Sequence, residues 1–328
     1  MASGLSLRIT PLDMRISGFT FVRNANKLFI PAVEAITSIL PLVDEFVVAV
    51  GASEDDTRAL IASIPSDKIK IIDTTWETEN YPRNTVFARE TDKAKTRCTG
   101  DWLFYIQCDE VLHEQYLPAV RQAMEKYFHD TEVEGLLFRY KHFWGDFNHF
   151  NHSHVFYDYE IRVVRNLPEI HSWKDAQSFR KFDTFDGSFD AYESKGGEKL
   201  KVVKIPAEIY HYGWVRPPEM MMKKSKVASE SYRGAEATAA KFSKYAQTFD
   251  YGPLGTLPEF TGTHPKVMAG WLTRFDWADQ LNYGKKFPKV AHPEKHERLK
   301  YRWLTWIENR LLGGRRIGAF KNYELLRR

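Results

Sequence analysis

A run of aromatic and branched residues, Trp102 to Ile106, gives way within three positions to two adjacent carboxylates, Asp109 and Glu110. A stretch that is apolar at every position has the composition of a strand buried on both faces of a parallel sheet. Its charges therefore arrive at a strand end, and in an open α/β sheet ligands bind in the crevice outside the carboxyl ends of the strands. Asp109 and Glu110 are expected to face that crevice, where hard oxygen donors hold a divalent cation that in turn holds phosphate oxygens. A strand followed by a solvated acidic turn would leave the same local pattern, so the flanking sequence has to decide.

On the N-terminal side, strand and helix alternate. Ile16 to Val22 reads as a buried strand and Arg23 to Asn26 as the polar turn that leaves it. Pro31 opens a helix in which Val33, Ile36, Ile39 and Leu40 recur at helical spacing until Pro41. Glu45 to Val50 is a second strand, ended by the loop Gly51 to Thr57, which can cap the next helix, and Lys68 to Ile72 is a third. Arg83 to Thr99 is a polar helix offering Val86, Phe87, Ala94 and Cys98 to one face, and it feeds directly into Trp102. This repeated alternation predicts a doubly wound parallel sheet.

Beyond Glu110 a helix carries Tyr116, Leu117, Val120, Met124 and Phe128 on one side, and then the pattern changes. Leu136 to Phe143, Ile161 to Val164 and Lys201 to Ile205 are strand-like and separated by long polar and aromatic loops, too long for mere connectors. They predict a less regular second half that builds the other wall of the site. Ser225 to Thr248 reads as helical, and Gly252 to Pro265 as an irregular loop. Glu294 to Leu312 reads as an amphipathic helix with Leu299, Trp303, Ile307 and Leu311 four apart, closed by Gly313-Gly314.

Composition sets the outer bounds. The 328 residues are enough for one large or two ordinary domains, and 43% hydrophobic with 27% charged residues is the balance of a soluble globular chain. The 14% aromatic content is high, so some rings are expected to face a ligand or a membrane surface. Cys98 and Cys108 alone exclude a disulfide framework or a cysteine zinc site and fit a reducing cytoplasm. The N-terminus lacks the pattern of a signal peptide, and no run of about 18 apolar residues predicts a membrane span. The net charge is only +4, yet Lys and Arg crowd between Lys285 and Arg328 among Trp303, Trp306, Phe320 and Tyr323, a surface for an acidic partner.

Three stretches, in this order and spacing, resemble the family 2 glycosyltransferases over residues 14–216. Ile16-Ser-Gly-Phe-Thr-Phe-Val-Arg-Asn is similar to the first strand and its asparagine turn. Val47 to Thr57 is similar to the second strand and the acidic Gly-Ser loop, of which Ser53, Asp55 and Thr57 survive. Asn84 to Glu110 resembles the helix leading into the family's metal motif, D-x-D or D-A-D-E, here Gln107-Cys108-Asp109-Glu110.

The resemblance implies an α/β GT-A fold, Rossmann-like, with a mostly parallel central sheet flanked by helices. It implies a catalytic domain at 14–216, followed by a helical C-terminal extension at 217–328. The implied activity is transfer of a sugar from a nucleotide-diphosphate donor to a glycan, lipid-linked or other acceptor, inverting and assisted by Mn2+ or Mg2+. Thr20, Val22, Arg23, Asn24, Ser53, Asp55, Arg89, Gln107 and Arg216 would bind the donor, Arg216 pairing its planar cation with the diphosphate. Nucleic acid is not implied as a partner. Cysteine usage and the basic aromatic C-terminal segment, apart from the resemblance, point to a cytoplasmic location with peripheral contact of that segment on the inner membrane face.

The chain departs from the family at two points. The uracil-contacting aspartate would fall near Val50 or Gly51, where no carboxylate stands, which leaves the base of the donor open. Gln107 replaces the first acid of D-x-D, so the metal would rest on Asp109 and a ligand from elsewhere. His211, in Glu208-Ile-Tyr-His-Tyr-Gly-Trp just after the strand Lys201 to Ile205, matches the histidine that many such enzymes bring to the metal, and imidazole suits Mn2+ better than Ca2+. For the general base the resemblance points to Asp175, with Glu169 second.

Other readings compete. His142, His149, His152 and His154 suggest a metal, but their spacing matches no zinc signature, and Phe143, Trp144, Phe147 and Phe150 between them look more like a sugar-stacking acceptor loop. A nucleotidyltransferase would share the sheet and the cation but would show a Gly-rich basic loop after the first strand, whereas Arg23-Asn-Ala-Asn-Lys contains no glycine. A basic binding module would explain the C-terminal segment and leave Asp109, Glu110 and His211 unexplained. The C-terminal helix itself reads either as a brace with a buried stripe or as a membrane contact, and burial of its tryptophans separates the two.

Overall fold

The computed structural model describes residues 14–194, 196–243, 248–287, 295–318 and 320–328. The N-terminal reading over Met1 to Arg8 and the helix start at Glu294 lie outside them. The first half is the predicted alternation: β1 (Ile16–Val22), α1 (Ala32–Ile39), β2 (Glu45–Gly51), α2 (Thr57–Ala62), β3 (Ile69–Thr74), α3 (Thr85–Lys95) and β4 (Trp102–Tyr105). β1 lies between β2 and β4, parallel to both, and β3 flanks β2. Every residue of β2 and β4 is buried, as the apolar runs Phe46 to Val50 and Trp102 to Tyr105 require, and the one charge among them, Glu45, is met by Lys70, Ser17 and Thr99.

The second half supplies β5 (Glu110–Leu112), α4 (Leu117–Lys126), β6 (Gly135–Trp144), β7 (Phe150–Asn151) and β8 (Tyr159–Arg165). β9 (Ile170–Trp173), β10 (Ser178–Lys181), α5 (Phe189–Glu193), β11 (Glu198–Lys199) and β12 (Lys201–Trp214) follow. The rest is α6 (Pro218–Arg233), α7 (Ala235–Phe242), α8 (Ala269–Leu272), α9 (Leu299–Arg310) and β13 (Glu324–Leu325). The main sheet runs β13-β12-β6-β8-β4-β1-β2-β3, with β5 on β12 and β7 on β6. It is mostly parallel. β8 is reversed between β4 and β6, which makes β4 an interior strand, as its composition predicted.

Three features differ from the sequence expectation. β9, β10 and β11 form a separate antiparallel sheet in a stretch that reads only as polar and aromatic loop. The strand expected to stop at Ile205 continues to Trp214, so His211 lies inside β12 rather than after it. Pro206, which cannot donate to a ladder, falls in a register shift between Lys204 and Glu208, and pairing with β5 then keeps the chain extended. The helix expected from Ser225 begins earlier and breaks at Gly234, whose φ of 84° suits glycine.

Two hydrophobic layers sandwich the sheet. One includes Ile36, Phe46, Trp102, Phe104 and Met124, and the other Phe19, Val47, Leu103, Tyr105 and Phe179. Segment 217–328 returns to this body in several places: β13 pairs with β12, and Tyr251 and Leu254 pack on Trp144.

Candidate active site

Pairing of β5 with β12 sets Glu110 opposite His211, and the Tyr212 N–H donates to the Asp109 carbonyl at 2.8 Å. Asp109 and His211, far apart in sequence, thereby meet at the floor of a cleft of about 1330 Å³ outside the ends of β1 and β4. Asp109 lies in the turn that the Glu110 N–H closes onto the Gln107 carbonyl at 2.9 Å, and Glu110 is the first residue of β5, so the two side chains part company. Glu110 is turned inward and fully buried. Its carboxylate accepts from Arg162 Nε and Nη2, both at 2.7 Å, from the Tyr140 hydroxyl at 2.8 Å and from the Gln107 N–H at 3.1 Å. The expectation that Glu110 faces the crevice as a cation ligand is thus corrected: its lone pairs are consumed by a buried ion pair.

Asp109 Oδ1 lies 3.7 Å from His211 Nε2. Behind His211 the hydrogen bonds define its tautomer. His142 Nε2 is 2.8 Å from the Tyr157 carbonyl, which can only accept, so that nitrogen carries hydrogen. Burial holds both imidazoles neutral, His142 at about 3 and His211 at about 4. His142 Nδ1 is therefore an acceptor, and the 2.9 Å contact to His211 Nδ1 is filled by a proton on His211. His211 Nε2 is left with a bare lone pair facing a carboxylate.

Such a pair fits a divalent cation. Ligand distances of about 2.0–2.1 Å from each atom span the gap, and Mg2+-like ions in nucleotide sites are held by one or two protein groups plus substrate phosphates. Gly213 keeps the space open, since a Cβ there would stand 2.3 Å from His211 Nε2 and 2.7 Å from Asp109 Oδ2. Among the described residues no cluster of three or more His, Cys, Asp or Glu forms a complete metal cage.

The surroundings are cationic. Lys224 on α6 donates to Asp109 Oδ2 at 3.0 Å and to the Gly213 carbonyl at 2.9 Å. Burial, with Arg216 nearby, lowers its ammonium to about 8. Burial alone would raise Asp109, but Lys224 and the other cations overcome it and hold the carboxyl well below its ordinary range. Arg216 is fully buried, and none of its three guanidinium nitrogens has a hydrogen-bond partner among the described residues. A buried guanidinium with unmet donors suits an anion.

The cleft wall carries Val22, Arg23, Asn24, Gln107, Asp109, Asp175 and His211 of the expected residues. Asp175 sits in the β9–β10 turn between Lys174 and Ala176, both in left-handed backbone (φ 53° and 61°), and Gln107 donates to the Ala176 carbonyl at 3.1 Å. Burial raises the Asp175 carboxyl. Thr20, Ser53, Asp55, Arg89 and Arg216 are not on that wall. The Thr20 hydroxyl lies 3.5 Å from Cys108 Sγ. Ser53 accepts the Asn24 N–H, and Asp55 accepts those of Lys27 and Thr57, so the acidic loop clasps the turn after β1. Arg89 pairs with Glu77 at 2.6 Å and covers the Tyr81 ring. Glu169 faces Lys181 at 4.0 Å instead of the cleft.

Sequence reasoning missed Lys224, one lysine in a polar helix, for which no signal existed. It also set His142 aside with its neighbours, which the structure disperses: His149 pairs with Asp146 and His154 with Glu308. Phe21, Trp76 and Phe87 add a ring cluster to the wall, with the Arg23 guanidinium 5.4 Å above Trp76.

No family model and no curated protein matches the chain. It is similar to solved structures of S. aureus TarS, at 12% identity and a TM-score of 0.38, covering 70% of this chain and 43% of that one. It is also similar to glucosyl-3-phosphoglycerate synthase from Mycobacterium tuberculosis in complex with Mn2+, UDP and glucosyl-3-phosphoglycerate, at 16% identity and a TM-score of 0.29, covering 39% of this chain and 44% of that one. The chain thus spans less than half the length of either. TarS 1-349 in complex with UDP gives 12% identity, a TM-score of 0.37 and coverage of 70% and 72%.

Proposed function

We propose that the protein transfers a sugar, with inversion, from a nucleotide-diphosphate donor to a glycan, lipid-linked or other acceptor. The observation that carries this reading is the convergence of Asp109, the bare Nε2 of His211 and Lys224 on the cleft wall at the carboxyl ends of the central strands, with the unpaired Arg216 charge buried behind them. Lys224 supplies positive charge to a departing diphosphate, and the buried Arg216 cation behind the wall adds to the field at the site. Asp109 and His211 would hold Mn2+ or Mg2+, which supplies Lewis-acid stabilisation of the same leaving group. Phe21, Trp76 and Phe87 offer ring faces to the nucleoside.

Asp175 is the base in this reading. Its carboxyl, raised by burial, takes the acceptor hydroxyl proton as the nucleophile forms, and the strained turn that carries it is fastened to the end of β4 through Gln107. A lipid-linked acceptor would bring the enzyme to a membrane face, through the basic C-terminal segment; no described helix is long and apolar enough to cross a membrane.

A panel of nucleotide sugars tests the reading, with thermal stability measured with and without Mn2+. UDP-glucose, present in a complex of the M. tuberculosis synthase, heads it. One donor should stabilise the protein in a metal-dependent way, and Asp109→Asn should abolish the metal increment. Asp175→Asn should leave donor binding intact while lowering turnover about 10²–10⁴-fold. Absence of stabilisation by every donor would refute the proposal.

A further inference from the structure

Helix α9 is inserted with its polar side inward. Residues advance by about 100° in a helix, so Leu299, Trp303, Trp306 and Arg310 share one side and Glu308 lies opposite. The Glu308 side is the buried one. Glu308 Oε1 is 2.7 Å from His154 Nδ1 and accepts the Ile317 N–H at 2.7 Å, while Oε2 accepts from Arg316 at 3.1 Å. Arg316 in turn forks onto Asp158 at 2.7 and 2.8 Å, and the Thr305 hydroxyl accepts the His154 N–H at 2.9 Å. Rotating the helix to hide its apolar side would strand this ion network, so the orientation is fixed. The apolar side is left in the open: Leu299 is 68% exposed, Trp303 63% and Trp306 52%.

We propose that this face docks the protein on an anionic membrane surface, with the two indoles at headgroup depth and the flanking cations against lipid phosphates. Charge complementarity selects this occupant. Glu308, turned inward, is the sole acid between Arg298 and Lys321, whereas Arg298, Lys300, Arg310 and Arg315 are exposed around the rings. A second copy meeting the same face by two-fold symmetry would oppose these like charges, whereas an anionic leaflet neutralises them. Amphipathic indole rings beside Lys and Arg are the composition that partitions to the membrane interface.

Co-sedimentation of the full chain with vesicles of phosphatidylcholine alone, or mixed with phosphatidylglycerol, tests the proposal at low and high salt. Binding is expected only to the mixed vesicles, with a blue shift of tryptophan emission and release at high salt. Trp303→Ser/Trp306→Ser and Arg298→Gln/Lys300→Gln should each bind at least about tenfold more weakly, with unchanged thermal midpoints and unchanged nucleotide binding. Donor binding is read separately, so failure here does not touch the glycosyl-transfer reading. Equal binding to both vesicle types, no binding to either, variants that bind like the parent, or concentration-dependent dimerisation lost in the tryptophan variant would each overturn it.

Discussion

His142→Phe removes the acceptor for the His211 Nδ1–H while keeping a ring of similar size in the buried slot between Tyr140 and Tyr157. An N–H left unpaired in that position costs about 1–3 kcal/mol. His211 escapes the cost by moving its proton to Nε2, where Asp109 Oδ1 stands 3.7 Å away. The proton then occupies the nitrogen that would face the cation. Loss of an outer partner of this kind weakens metal binding about 10–100-fold, or about 1.4–2.7 kcal/mol. His142→Gln is the control, because its amide can donate to the Tyr157 carbonyl and accept from His211, and it should restore most of the affinity. Free Mn2+ measured by electron paramagnetic resonance, with and without UDP, reads the affinity, and ring 15N shifts read the tautomer without any metal. If His142→Phe binds Mn2+ as tightly as the parent and His211 keeps its proton on Nδ1, the reasoning is wrong.

Gly213→Ala should weaken Mn2+ binding at least about tenfold, by calorimetry, because the new methyl would meet His211 Nε2 and Asp109. Glu110→Gln should destabilise the fold by about 3–5 kcal/mol in urea unfolding, since it leaves the fully buried Arg162 charge uncompensated; a loss below 1 kcal/mol would deny the pair its structural role. Burial alone would raise Glu45, but the Lys70 ammonium and hydrogen bonds from Ser17 and Thr99 overcome it and bring the carboxyl from 4.5 to about 2. A carboxyl depressed in the folded state stabilises it above the unfolded pKa, here by up to about 3 kcal/mol, and that stability is lost as pH falls from 4.5 through 2. The stability gap between the parent and Glu45→Gln should therefore be full at pH 7 and shrink across that window; a gap independent of pH would contradict the assignment.

The parallel half of the sheet was legible because its information is local. β1, β2 and β4 are apolar at nearly every position, and only a strand covered on both faces tolerates that composition in water. Asp109 could be placed at the crevice for the same reason, as the first charge after an interior strand. The second half was harder to read: the β9–β11 sheet is assembled from short polar segments whose partners lie in other strands, and β12 stays extended past Pro206 because β5 pairs with it from Ile209.

Which partners surround each side chain of the site is decided by the tertiary structure. Asp109 and Glu110 are neighbours of one type in the sequence, yet the turn into β5 sends one to the cleft and the other to Arg162. His142 becomes the partner of His211 only because β6 and β12 lie side by side in register. In α9 the repeat of Leu and Trp marks a helix but not the side that is buried, and the ion network around Glu308 turns that repeat outward. Periodicity records which residues share a face; which face is buried depends on partners brought in from distant parts of the chain.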